Sequence, residues 1–76
     1  MRILFICPVP VEFTSCRSLL SLRDAGAVAG CRCARGSVAG LEVVALQSGP
    51  GKARSAAATA AATAAVVPEL VVDTGT

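Results

Sequence analysis

The chain has 76 residues and a net charge of +2, with 54% hydrophobic and only 16% charged side chains. That balance excludes an intrinsically disordered tail, and scattered arginines with aromatics limited to Phe5 and Phe13 exclude a basic, ring-stacking nucleic-acid surface. Chains of roughly 60 residues bury only about 60% of their unfolded surface; with alanine supplying much of the apolar content, the composition predicts a segment of a larger core.

The first strand is expected over Arg2 to Cys7, an unbroken apolar run of the kind covered on both faces in parallel sheets. Pro8 and Pro10 end it, since neither has an N–H to give a ladder. Together with Glu12 they also interrupt the run before it can act as a secretory leader. A helix follows from Val11 to Leu22, with Phe13, Cys16 and Leu20 at helical spacing and Ser15, Ser18 and Ser21 on another face. Asp24 to Gly30 reads as a loop. From Gly30 to Gly36, Cys31 and Cys33 alternate with Arg32. Ser37 to Gly40 makes a turn and Leu41 to Gln47 returns, a β-hairpin with a loop of about three to five residues.

The second helix begins near Gly51 and runs to Val66, with Pro68 beyond it as a stop. Alanine is the best helix former, so local preference agrees. Lys52, Ser55, Thr59 and Thr63 form a narrow polar stripe, and the alanine surface around it predicts cover on more than one side. The stretch Ala56 to Val67 falls short of the about 20 apolar residues that span a bilayer. Leu70 to Val72 is a short buried strand leading into Asp73-Thr74-Gly75-Thr76. Strands alternating with helices define an α/β class.

Cys7, Cys16, Cys31 and Cys33 read as buried, reduced thiols. Cys31 and Cys33 share one face of a strand, and the chain has no histidine and no C-x-x-C pair to hold zinc. Reduced thiols predict a cytoplasmic setting.

Three strand ends carry polar or glycine-rich sequence: Val9-Pro10-Val11-Glu12, Ser48-Gly49-Pro50-Gly51-Lys52 and Asp73-Thr74-Gly75-Thr76. In open α/β sheets, ligands bind in the crevice outside the carboxyl ends of strands, so the three are expected to share one pocket. Glu12 admits two readings. At a helix start its carboxylate caps free N–H groups, and an ionised carboxylate at a strand end can also activate a water. Ser48 to Lys52 presents backbone N–H groups at a helix N-terminus, but it is not a Walker A loop, because Leu46 and Ala53 stand where that motif needs glycine and a hydroxyl. Asp73 reads as structural.

In order and spacing, these segments resemble the start of the purine nucleoside phosphorylase and nucleosidase superfamily, above all the 5′-methylthioadenosine/S-adenosylhomocysteine nucleosidases. Those open with an apolar strand and a Met-x-Glu-Glu-like turn. A hairpin, Ser-Gly-Ile-Gly-Lys, an alanine-rich helix, Pro-Asp and Asn-Thr-Gly-Ser-Ala-Gly-Gly follow. Here the counterparts are Val9 to Glu12, Ser48 to Lys52, Pro68-Glu69 and Asp73 to Thr76. The resemblance runs the length of the chain but covers only the first third of a typical member.

It implies a three-layer α/β/α fold with a central mixed sheet, of which this chain is the N-terminal segment of a single domain. It also implies hydrolysis of an N-glycosidic bond through an oxocarbenium-like transition state, with no cofactor. Glu12 then matches the carboxylate that activates water. Val9 matches a Met that packs against the ribose, Pro50 an Ile near the nucleoside, and Thr76 a Ser near the water and sugar. The acid that protonates the purine, and the groups that grip the ribose hydroxyls, match nothing within these residues. The implied partners are a purine nucleoside, a second copy in a homodimer, and the remainder of the domain.

Val9 and Pro50 depart from the family pattern, which keeps the related futalosine hydrolases open. A phosphorylase fits less well, because Glu12 stands near where that branch carries a phosphate loop. A truncated remnant that folds on a partner is the non-enzymatic alternative.

Overall fold

A computed structural model describes residues 1–49 and 51–74. In chain order the elements are β1 (Arg2–Cys7), α1 (Pro10–Leu19), β2 (Arg23–Val28), β3 (Cys31–Val38), β4 (Leu41–Gln47), α2 (Lys52–Val66) and β5 (Leu70–Asp73). The strands form one mixed sheet in the order β2-β3-β4-β1-β5. β1 runs parallel to both β4 and β5, while β2, β3 and β4 pair antiparallel.

Strand alternation sorts the apolar side chains onto two faces. Leu4, Ile6, Cys33, Val44 and Leu46 meet Ala58, Ala62 and Val66 of α2 on one face. Cys7, Ala34, Val43 and Ala45 meet Phe13 of α1 on the other, with Cys16, Leu20 and Leu22 beside them. The result is the expected α/β/α layering. Phe13 is the one buried residue of α1, and burying such a ring is worth about 2 kcal/mol, so the helix that carries Glu12 is held to the sheet largely by its neighbour.

On α2 the buried positions are Ser55, Ala58, Ala62 and Val66, a single stripe at helical spacing. The alanines at 56, 57, 60, 61, 64 and 65 are exposed. The expected cover on more than one side is therefore absent among the described residues. Arg2 fastens the C-terminal end of this helix. Its guanidinium donates to the Val66 carbonyl, one of the carbonyls a helix end leaves without a partner, and pairs with Glu42 at 3.0 Å.

Four local expectations change. The segment read as a loop from Asp24 to Gly30 is mostly β2. Its exposed alanines and glycine give no alternation, and it is recruited by pairing with β3 across a register shift between Asp24 and Ala27. α1 stops at Leu19, short of Leu22, because Ser21 turns left-handed at φ 54. The Ser21 N–H then bonds to the Ser18 carbonyl and the Leu22 N–H to the Arg17 carbonyl at 2.8 Å, a Schellman closure. Both hairpin loops have two residues, Ala29-Gly30 and Ala39-Gly40, each pair at positive φ. Finally, β5 is not buried: Leu70 is 48% and Val71 39% exposed. No helix among the described residues is long and apolar enough to cross a membrane.

Candidate functional site

The carboxyl ends of β4, β1 and β5 lie side by side, because β1 sits between the other two and runs parallel to both. Cys7 is in register with Gln47, and Ile6 with Asp73. The segments leaving the sheet are tied together at that level. Ser48 N–H donates to the Cys7 carbonyl at 3.1 Å and Thr74 N–H to the Ile6 carbonyl at 3.0 Å. The Thr74 hydroxyl donates to the same Ile6 oxygen at 3.2 Å. The three strand ends, expected from the sequence to share one pocket, lie at the same end of the sheet.

Glu12 is the third residue of α1. Pro10 opens the helix, where its missing N–H is no loss, and Val9 before it is extended. Val9 N–H donates to Glu12 Oε1 at 3.3 Å. This is one arm of a capping box, and valine has no acceptor to supply the other. The Glu12 charge also pushes the Cys7 thiol upward, which sets the carboxylate near the end of β1. Capping and water activation are compatible, since one oxygen holds the cap and a carboxylate has acceptor sites to spare. Val9 and Glu12 are half-buried.

Cys7 occupies the junction. Its side chain is fully buried, and Thr74, Cys16 and Glu12 act on its thiol. Burial raises its thiol from the ordinary 9.0 to about 11; the Thr74 hydrogen bond opposes that rise, and Cys16 and Glu12 add to it. On the α2 side, Ser55 Oγ donates to Asp73 Oδ2 at 3.3 Å, and the Thr59 hydroxyl donates to the Ser55 carbonyl at 2.7 Å. Asp73 therefore anchors α2 to β5, the structural role expected of it.

The structure thus brings Val9, Glu12, Ser48 and Thr74 to one end of the sheet. Pro50 and Thr76, expected beside the nucleoside and the water, lie outside the described residues. Sequence reasoning placed Thr74 in the third strand end and Cys7 among the buried thiols but did not bring the two together, because only the pairing of β1 with β5 joins them. A separate open cleft of about 370 Å³ lies on the α2 face, with Cys31, Ser48, Arg54 and Ala57 among its lining. It meets the strand-end cluster only at Ser48.

No family model matches the chain. The 5′-methylthioadenosine/S-adenosylhomocysteine nucleosidase of Bacillus thuringiensis (strain Al Hakam) is 37% identical over 75 residues, which is 99% of this chain and 32% of the relative. The solved 5′-methylthioadenosine/S-adenosylhomocysteine nucleosidase from S. pneumoniae, with the transition-state inhibitor MT-ImmA, matches with a TM-score of 0.84 at 28% identity, over 100% of this chain and 33% of that one. Futalosine hydrolase of Helicobacter pylori matches with a TM-score of 0.87 at 20% identity, over 99% of this chain and 33% of that one. The chain has the nucleoside phosphorylase/nucleosidase fold over its length, and it spans about a third of the length of the curated relatives it matches.

Proposed function

We propose that this chain supplies the water-activating side of an N-ribosyl hydrolase that cleaves a modified purine nucleoside such as 5′-methylthioadenosine or S-adenosylhomocysteine. The supporting observation is the position of Glu12, half-buried at the strand-end crevice, in a chain 37% identical to a nucleosidase over 75 residues. Glu12 orients or deprotonates the water that attacks the anomeric carbon, and the C–N bond to the base breaks as it does so. In this reading Val9 serves the ribose, Pro50 the nucleoside, and Thr76 the water and sugar. The chain acts as the amino-terminal part of one domain, in a cytoplasmic homodimer with neither nucleic acid nor membrane as partner.

The test is adenine release from 5′-methylthioadenosine in phosphate-free buffer, with the intact mass of the purified protein recorded alongside. Release without phosphate is expected where a second polypeptide supplies the remainder of the domain, and Glu12→Gln should slow it by about 10² to 10⁴-fold, the usual contribution of a positioned general base; a lone 7.6 kDa chain with no release would mean a truncated remnant. A strict phosphate requirement would replace the hydrolase with a phosphorylase. The structural likeness to futalosine hydrolase favours a second reading in which the same Glu12 chemistry serves futalosine. Preferential hydrolysis of that nucleoside would select it.

A further inference from the structure

The open cleft of about 370 Å³ on the α2 face is walled by small side chains, Ala29 and Cys31 from the β2–β3 hairpin and Ala57 and Ala61 from α2. It lies at the same end of the sheet as the strand-end site. Arg32 is in register with Gln47, so the hairpin turn at Ala29-Gly30 stands beside the carboxyl end of β4. Ser48, the next residue after β4, lines the cleft too. Among its described lining residues only Arg54 is charged. That side chain folds back toward the turn leaving β4, since a Cβ placed on Gly49 would meet Arg54 Nη1 at 3.5 Å and Cδ at 3.7 Å. The ion pairs among the described residues take Arg2, Arg17, Arg32 and Arg35, and none takes Arg54. The first turn of α2 holds no acidic residue, so the guanidinium sits at the positive end of the helix dipole with no carboxylate beside it. An anion in the cleft would offset both.

We propose that this cleft receives the 5′-substituent of a nucleoside held at the strand ends, and that Arg54 recognises a carboxylate on it. The base and ribose are held as in the hydrolase reading, on which this rests. The preferred substrates are then nucleosides with an amino-acid tail, such as S-adenosylhomocysteine, over 5′-methylthioadenosine, whose methyl group offers Arg54 nothing. The methylene stem packs along the alanine wall, where the small side chains leave room. The carboxylate forms charge-assisted hydrogen bonds with the guanidinium fork. Because the cleft is open, the ammonium of the same tail stays in water. Ser48 is the residue that the cleft shares with the strand-end group, and its hydroxyl already donates to the Gly49 carbonyl at 3.2 Å. Recognition of the tail therefore falls to Arg54.

The experiment titrates S-adenosylhomocysteine and 5′-methylthioadenosine by calorimetry into the purified protein, together with any polypeptide that completes its domain. A Glu12→Gln background slows turnover during the titration. Adding Arg54→Gln should weaken S-adenosylhomocysteine binding by roughly tenfold, the scale of one charge-assisted hydrogen bond, and leave 5′-methylthioadenosine unchanged. Ala57→Leu, which narrows the cleft with a good helix former, should also weaken S-adenosylhomocysteine alone. Equal effects of Arg54→Gln on the two nucleosides, no effect on either, or no binding of S-adenosylhomocysteine would overturn the proposal. So would an Ala57→Leu variant that binds both as its parent does. Failure of the hydrolase reading looks different. Adenine release from 5′-methylthioadenosine, with an unchanged S-adenosylhomocysteine affinity in Arg54→Gln, rejects the cleft and keeps the hydrolase. Arg54-dependent binding with no release when Glu12 is intact rejects the hydrolase and keeps the cleft.

Discussion

Cys7 links the ionisation of one buried group to the stability of the whole sheet. Its thiol is pushed up to about 11, first by burial, against an ordinary value of 9.0. The folded chain therefore keeps a proton that the unfolded chain releases. The resulting stabilisation is complete below pH 9.0 and is lost as pH rises through about 11. Cys16 and Cys33 are raised by burial in the same sense, so the loss is shared. Urea midpoints measured below and above pH 9.0 should fall with rising pH, and Cys7→Ala should flatten the slope while lowering the neutral-pH midpoint. An unchanged slope in the variant would place the alkaline loss elsewhere. Glu12 shows how far a single residue is legible in sequence. Its place at a helix start was readable from Pro10 and the apolar run before it, and the Val9 cap is what that place predicts. Its nearness to Cys7 was not readable, because it depends on how α1 lies across β1.

At the scale of elements, boundaries depend on backbone chemistry that composition hides. Hydrophobic runs located β1 and β4 because burial writes itself into those residues, while the spacing of Phe13, Cys16 and Leu20 located α1 and alanine's helix preference located α2. β2 escaped notice since Arg23 to Val28 has almost no buried side chain; its pairing with β3 comes from a two-residue turn, not from an apolar pattern. Those turns use residues unsuited to them. Ala29 and Ala39 sit at φ 54 and 51, and Val67, just past α2, at φ 54. The left-handed region costs an L-residue about 1–2 kcal/mol, and a β-branched side chain is the least suited to it. Val67→Gly should therefore raise stability by about 1 kcal/mol despite removing a side chain that is 70% exposed. Ala39→Asn should add about 0.5 to 1 kcal/mol by creating the Asn-Gly pair that such hairpins prefer. The two sites lie on different elements, the β3–β4 turn and the end of α2, so the double variant should show the sum, read from urea denaturation. A loss of stability in either single variant would contradict the strain assigned to it.

Across the whole molecule the two sheet edges are unlike. β2 carries Arg23 and Asp24 and a register shift between Asp24 and Ala27. Asp24 is held by Arg17 at 3.1 Å and Arg32 at 3.4 Å, and Arg32 lies over the Phe13 ring at 5.1 Å. Charge and irregularity of this kind keep an edge from recruiting another strand. β5 has neither over Leu70, Val71 and Val72. Its apolar run signalled a buried strand, yet Leu70 is 48% and Val71 39% exposed. The helix over the α2 face reaches β5 through Ser55 and Asp73 and not through an apolar seam. An open apolar edge is where heating should first join one molecule to another. Light scattering during a thermal ramp should rise steeply for the parent chain. Val71→Lys, which sets a charge in the middle of that edge, should delay the rise without changing the far-ultraviolet circular dichroism. Ala27→Lys, on the edge already guarded by charge and bulge, should leave the curve where it was. Equal scattering from both variants and the parent would move the site of association away from β5, and the exposed alanines of α2 would be the next surface to charge.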